Sequence, residues 1–179
     1  MTMLPPIGAE IPCSMLAINS AVQIRTSLVS VDFRGGIKQR ADVNPDDPIN
    51  SVRMRTVGFK ISAELHGGDD EAGGGTITIE QDDVDVDANS RLRLIQQFPP
   101  RFEHVMVLDF TMVIDQPGSD GEPLVLTTKQ SARLTAKLTQ YPPRGNQYQL
   151  ESPVDLVLPD DPDTVVATLQ SLPAKVGGL

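Results

Sequence analysis

Two stretches of this chain alternate apolar and polar residues so regularly that little besides β-sheet fits them. Val57, Phe59, Ile61, Ala63 and Leu65 interleave with Gly58, Lys60, Ser62, Glu64 and His66. Further on, Ala132, Leu134, Ala136 and Leu138 interleave with Arg133, Thr135, Lys137 and Thr139. Successive side chains of a strand point to opposite faces, so each stretch reads as a half-buried strand. Other runs share the character: Val22 to Phe33, Thr76 to Ile79, Leu92 to Ile95, Leu124 to Leu126 and Tyr148 to Leu158, the last interrupted near Pro153.

Within Val22 to Phe33 the apolar phase changes near Leu28, which predicts a bulge or bend, and Gly35-Gly36 is read as its end. Asn44 to Asn50 reads as a turn-rich loop and Gly67 to Gly75 as an acidic, glycine-rich one. Glu103 to Asp115 is the longest candidate strand: His104, Met106, Leu108, Phe110, Met112 and Ile114 share one face, and Val105, Val107, Asp109, Thr111 and Val113 the other. A run apolar on both faces belongs in a central or covered position. The one helix signal is Asp161-Pro162-Asp163 ahead of Thr164 to Leu172, with an acid at the cap and a proline at the first turn.

The 179 residues fit one domain. The expectation is an all-β fold: a single antiparallel β-barrel of about 7–9 strands with a short C-terminal helix, a β-sandwich being the alternative. Residues 1–21 are expected to be an N-terminal extended arm and residues 22–179 the barrel domain. Phase switches favour a barrel, because strands bend at its corners.

Reactive residues are scarce: two histidines, one cysteine and no tryptophan. Cys13, His66 and His104 share no zinc spacing. No G-x-S-x-G elbow occurs, and Gly73-Gly74-Gly75 lacks the lysine of a phosphate loop. Asp83, Asp85 and Asp87 have the spacing of a calcium loop's opening ligands, but Ala88 and Leu94 stand where its glycine and glutamate belong. No cofactor and no metal are expected. A net charge of −9 disfavours nucleic acid and anionic membrane as partners. The lone cysteine suits a reducing, cytoplasmic setting.

What remains is His104, Asp109 and Tyr141 as candidate catalytic groups, with Met106, Phe110, Met112 and Tyr148 as candidate substrate-binding groups. Methionine-rich faces adapt to variable apolar ligands, and an acid among apolar neighbours has a movable pKa. The competing reading is ordinary core, with Asp109 paired to a neighbouring base and the tyrosine hydroxyls in water. Gln97-Phe98-Pro99-Pro100-Arg101 and Gln140-Tyr141-Pro142-Pro143-Arg144 echo one another. They read either as two matching loops framing a mouth or as generic strand terminators.

The strand pattern, the Met/Leu-lined strands and the segment Tyr141-Pro142-Pro143-Arg144-Gly145-Asn146-Gln147-Tyr148 resemble small bacterial β-barrel proteins of natural-product pathways. Some of these are like the allene oxide cyclase barrel and cyclise polyketide chains. The resemblance implies a cofactor-independent cyclase or isomerase that folds a hydrophobic, polyketide-like substrate in a dry cavity. The alternatives are a non-catalytic binding barrel for an apolar ligand and a protein-interaction or assembly module, with a homo-oligomer compatible with all three.

Overall fold

A computed structural model describes residues 4–65, 75–81, 89–115 and 122–177. The described residues form thirteen strands and no helix. In chain order these are β1 (Glu10–Ile24), β2 (Ser27–Val43), β3 (Ser51–Glu64), β4 (Thr76–Gln81), β5 (Arg91–Gln97), β6 (Pro100–Leu108), β7 (Phe110–Asp115), β8 (Leu124–Thr128), β9 (Ala132–Leu138), β10 (Asn146–Leu150), β11 (Val154–Leu158), β12 (Asp161–Ser171) and β13 (Ala174–Val176).

The pairings reduce these segments to a simpler object. β4 and β5 lie one after the other along β3; β7 and β6 lie in the same way between the β4/β5 line and the β8/β9 line. β11 and β10 follow, and β12 and β13 both pair with β1. The chain therefore makes eight antiparallel passes, each beside the next, and the last pairs with the first to close a ring. Closure removes the unpaired edges that an open sheet would present.

Five passes are interrupted part-way, and neighbouring interruptions bond to each other. Ser90 Oγ accepts from Val107 N at 2.8 Å, Ser131 Oγ donates to Asp109 Oδ1 at 2.7 Å, and Gln130 Nε2 donates to the Pro153 carbonyl at 3.3 Å. The long passes bend by register shifts instead: between Ala17 and Ser20 in β1, and between Lys38 and Gln39 of β2 opposite Gly58 of β3. A ring of passes this long must curve, and an extra residue in one strand is how a ladder turns.

The interior is aliphatic, methionine and phenylalanine. Met15, Met54, Met106 and Met112 are each no more than 1% exposed, and Phe59 packs edge-on against Phe110 with ring centres 6.3 Å apart. The face running from His104 through Ile114 is buried throughout, as the alternation predicts.

Several expectations are corrected. No C-terminal helix forms: Thr164 to Ser171 lies in β12, bonded to β1 and β11. Thr164, Val165, Val166 and Thr168 are β-branched, and the ring needs this pass to close. The Asp161 carboxylate, read as a cap, accepts from the Thr164 hydroxyl at 2.5 Å.

The boundary at Ala21/Val22 falls inside β1, which pairs with β2, β12 and β13, so from Glu10 onward the expected arm is a wall strand. Val22 to Phe33 is two strands rather than one bent one. The phase change is a hairpin at Arg25-Thr26, with Arg25 at φ 56°. Gly35-Gly36 lies in the middle of β2 instead of ending it. Val57 is exposed, because the inward phase of β3 passes from Val52, Met54 and Thr56 to Phe59, Ile61 and Ala63 across Gly58. The long run Glu103 to Asp115 is β6 and β7, broken at an exposed Asp109. Asp69, Asp70, Glu71, His66 and the stretch Asp82–Asp87 lie outside the described residues.

Candidate functional site

At one end of the ring the chain leaves and re-enters through the loop of residues 44–50, the turn at Phe98-Pro99 and the loop of residues 139–145, beside the N-terminal segment and Gly177. The pairing of Phe102 with Leu138 sets the two Gln-aromatic-Pro-Pro-Arg turns side by side at this end. Both Phe98-Pro99 and Tyr141-Pro142 are cis peptides. The echoed rings diverge in use: Phe98 is 91% exposed, whereas Tyr141 is half-buried and packs on the core.

Just inside this end, the interior face of β6 carries His104, opposite Tyr148 of β10 and Gln39 of β2. His104 Nδ1 lies 2.6 Å from the Tyr148 hydroxyl, and Nε2 lies 3.1 Å from Gln39 Oε1. Gln39 Nε2 donates onward to Thr56 Oγ1 at 3.2 Å and to the Met54 carbonyl at 3.5 Å. An oxygen only accepts, so Gln39 Oε1 requires the imidazole proton on Nε2. Nδ1 is then the acceptor of the Tyr148 proton. The network is a neutral chain, Tyr148 to His104 to Gln39 to Thr56, contributed by four strands of the ring, β10, β6, β2 and β3.

Burial fixes the charge state. His104 is 1% exposed and its pKa is pushed down to about 3, because the imidazolium would lose its hydration with no carboxylate to replace it. Burial likewise raises the phenols of Tyr148 and Tyr141 above their ordinary value, with smaller contributions from nearby Cys13 and, for Tyr148, from Tyr141. Every group here is a neutral hydrogen-bonding group at physiological pH.

Tyr141 stands edge-on to His104, with ring centres 5.7 Å apart and planes at 80°. Among the described residues its hydroxyl makes no hydrogen bond, unlike the fully buried Tyr148. The loop that carries it is strapped down. Gly145 N donates to the Val176 carbonyl at 2.9 Å, and Gly177 N donates to the Ser14 carbonyl at 2.7 Å. A Cβ at Gly177 would lie 1.9 Å from the Pro143 carbonyl oxygen, at a φ of 81°. Gly177→Ala is therefore expected to cost roughly 2 kcal/mol and to free the Tyr141 loop. Faster hydrogen exchange confined to the backbone of residues 140–147 would register this; unchanged exchange there would refute it.

The structure thus gathers His104, Tyr141 and Tyr148, with Met106 (1% exposed) further along the same face. Phe110 and Met112 continue that face on β7, in the far half of the ring. Asp109 does not join them. It is exposed at the break between β6 and β7, accepting from Ser131 and Thr128 hydroxyls. The competing reading puts both tyrosine hydroxyls in water; that of Tyr148 is instead buried against His104. Gln39 and Thr56, which complete the network, escaped the sequence reading. Their signal was a polar residue in an otherwise apolar phase, Ile37-Gln39-Ala41 and Val52-Met54-Thr56.

These features define a closed all-β ring with a neutral polar chain buried behind a strapped aromatic loop. DynF, from the dynemicin biosynthesis pathway of Micromonospora chersina, has a solved structure similar to it, with a TM-score of 0.71 at 19% identity over 98% of this chain and 83% of that one. At that identity the likeness is one of fold. No family model and no curated protein sequence matches the chain.

Proposed function

We propose that the ring acts as a β-barrel that receives a hydrophobic small molecule of natural-product biosynthesis at the Tyr141 end. The hydroxyl of the half-buried Tyr141, open to solvent and without a protein partner beside the His104 network, carries this reading: a donor held in place without a protein acceptor is suited to a ligand's oxygen. Leu4, Ile11, Cys13 and Leu94 are half-buried apolar side chains packed on the core towards the same end. Pockets for small molecules typically combine such walls with a few placed polar groups. The fold shared with DynF, which comes from a biosynthetic pathway, supports the same assignment.

The finer reading is a cofactor-independent cyclase or isomerase. With both phenols held protonated and His104 neutral, the site offers hydrogen-bond donation to a carbonyl or enol oxygen rather than an ionised base. Such chemistry relies on holding the substrate in a reactive conformation while polarising one oxygen. Asp109, being outside, has no part in it.

The test is Tyr141→Phe, assayed by calorimetry with a keto-bearing aromatic polyketide and a hydrocarbon of similar size. The keto ligand is expected to bind roughly 3–10-fold more weakly to the variant, as for one neutral hydrogen bond, with the hydrocarbon unaffected. Equal losses for both ligands, or none for either, would remove Tyr141 from the site.

A further inference from the structure

The net charge of −9 is unevenly spread. On the outer side of β5, β6, β9, β10 and β13, with the connecting loop of residues 139–145 and Glu151, stand Arg91, Arg93, Arg101, Arg133, Lys137, Arg144 and Lys175. Only Glu103 and Glu151 oppose them. This one side of the ring carries +5, which leaves −14 for the rest of a −9 chain. Arg93 pairs with Glu103 at 3.9 Å and Arg133 with Glu151 at 3.4 Å. Among the described residues, Arg91, Arg101, Lys137, Arg144 and Lys175 make no ion pair.

The same side is concave. A groove of about 520 Å³ runs across β5, β6, β9 and β10, lined by Val105 and by Arg91, Lys137, Gln147 and Gln149 among others. At the rim beyond it project Phe98, 91% exposed, and Ile95, 42% exposed.

We infer that this side is a docking surface for an acidic segment of a partner protein. Cations left unpaired on an otherwise acidic chain steer a negatively charged partner to one side and repel it from the rest. A groove of mixed character suits a polypeptide better than a phosphate backbone. Glu103, Glu151, Gln147 and Gln149 offer acceptors that a phosphate backbone, itself only an acceptor, cannot meet, whereas a peptide sets acids against Arg91 and Lys137, donors against these four, and a small apolar side chain on Val105. Every strand of the side is paired on both flanks, so the partner is held by side chains and not by strand addition. The inference does not depend on the ligand proposed for the interior.

A fluorescein-labelled peptide of alternating Glu and Ser, followed by fluorescence anisotropy, tests it. The wild-type chain is expected to bind this peptide and not its Lys-Ser counterpart, with affinity falling as salt rises from about 20 to about 300 mM. Arg91→Ser with Lys137→Ser, both exposed and structurally neutral, is expected to weaken binding roughly fivefold. The reversal Arg91→Glu with Lys137→Glu is expected to transfer preference to the Lys-Ser peptide. No binding of the acidic peptide, or binding indifferent to both variants, overturns the proposal. Tighter binding of a single-stranded DNA of equal charge through the same two residues also overturns it, in favour of nucleic acid.

Discussion

Replacing His104 by Gln is expected to flatten the acid side of the stability curve between about pH 6.5 and 4.5. The unfolded chain's imidazole takes up a proton below its ordinary pKa of 6.5, whereas the folded one holds out to about 3. Between those values the unfolded state binds more protons, so folding stability is fully present above pH 6.5 and drains away as pH falls. At one proton the full shift corresponds to on the order of 5 kcal/mol, of which roughly 2–3 kcal/mol falls above the range where carboxylates begin to titrate. Glu10 and Asp42, both held below their ordinary values by basic neighbours, add their own losses only below that range. Urea midpoints at pH 7, 6 and 5 measure the slope directly. His104→Gln keeps a neutral polar group beside Tyr148 and Gln39, so its cost at pH 7 is expected to stay within about 1–3 kcal/mol. A variant that retains the wild-type slope would show that the proton is taken up elsewhere.

That same histidine illustrates what could and could not be read from the sequence. The alternation of β6 placed His104 on the inward face with Met106 and Leu108, and the strand placement held. Its partners come from β10 and β2, 44 and 65 residues away in sequence, and no local pattern encodes such a meeting. Gln39 escapes for a specific reason: Gly35-Gly36 has the composition of a strand end, which masks the inward phase that Ile37, Gln39 and Ala41 continue beyond it. The C-terminal helix failed for a related reason. A capping acid and a proline are local signals worth about 1 kcal/mol, and the pairing of β12 with two neighbours outweighs them. Asp109 looked like a carboxylate in an apolar strand because the break between β6 and β7 leaves no gap in the alternation. Period-two patterns mark which side of a wall a residue faces; they do not mark where the wall is interrupted.

The misread glycine pair yields the other large expected effect. Gly35→Ala should unfold or severely weaken the ring, because β3 crosses β2 there with no room for a methyl group. A Cβ at Gly35 would lie 2.0 Å from the Lys60 carbonyl oxygen and 2.7 Å from the Ile61 Cα, both backbone atoms that cannot swing aside as a side chain would. Relief requires separating β2 from β3 where Gly35 pairs with Ile61 and where Met15 of β1 pairs with Gly35 on the other side, so three adjacent passes move together. Ile61 and Met15 are at most 1% exposed, and their displacement opens the core on that wall. Forced overpacking at a buried crossing costs typically 1–3 kcal/mol when side chains yield, and more when the backbone must. A loss above about 3 kcal/mol is expected here, which for a chain of this size lowers Tm by roughly 6–12 °C. The control is Gly36→Ala, one residue on, where a Cβ would meet only the Cys13 carbonyl oxygen at 3.0 Å. Gly36→Ala should be clearly the milder of the two in a thermal melt. Equal melting temperatures for the two variants would mean that the approach of β3 to Gly35 is not what holds the bend.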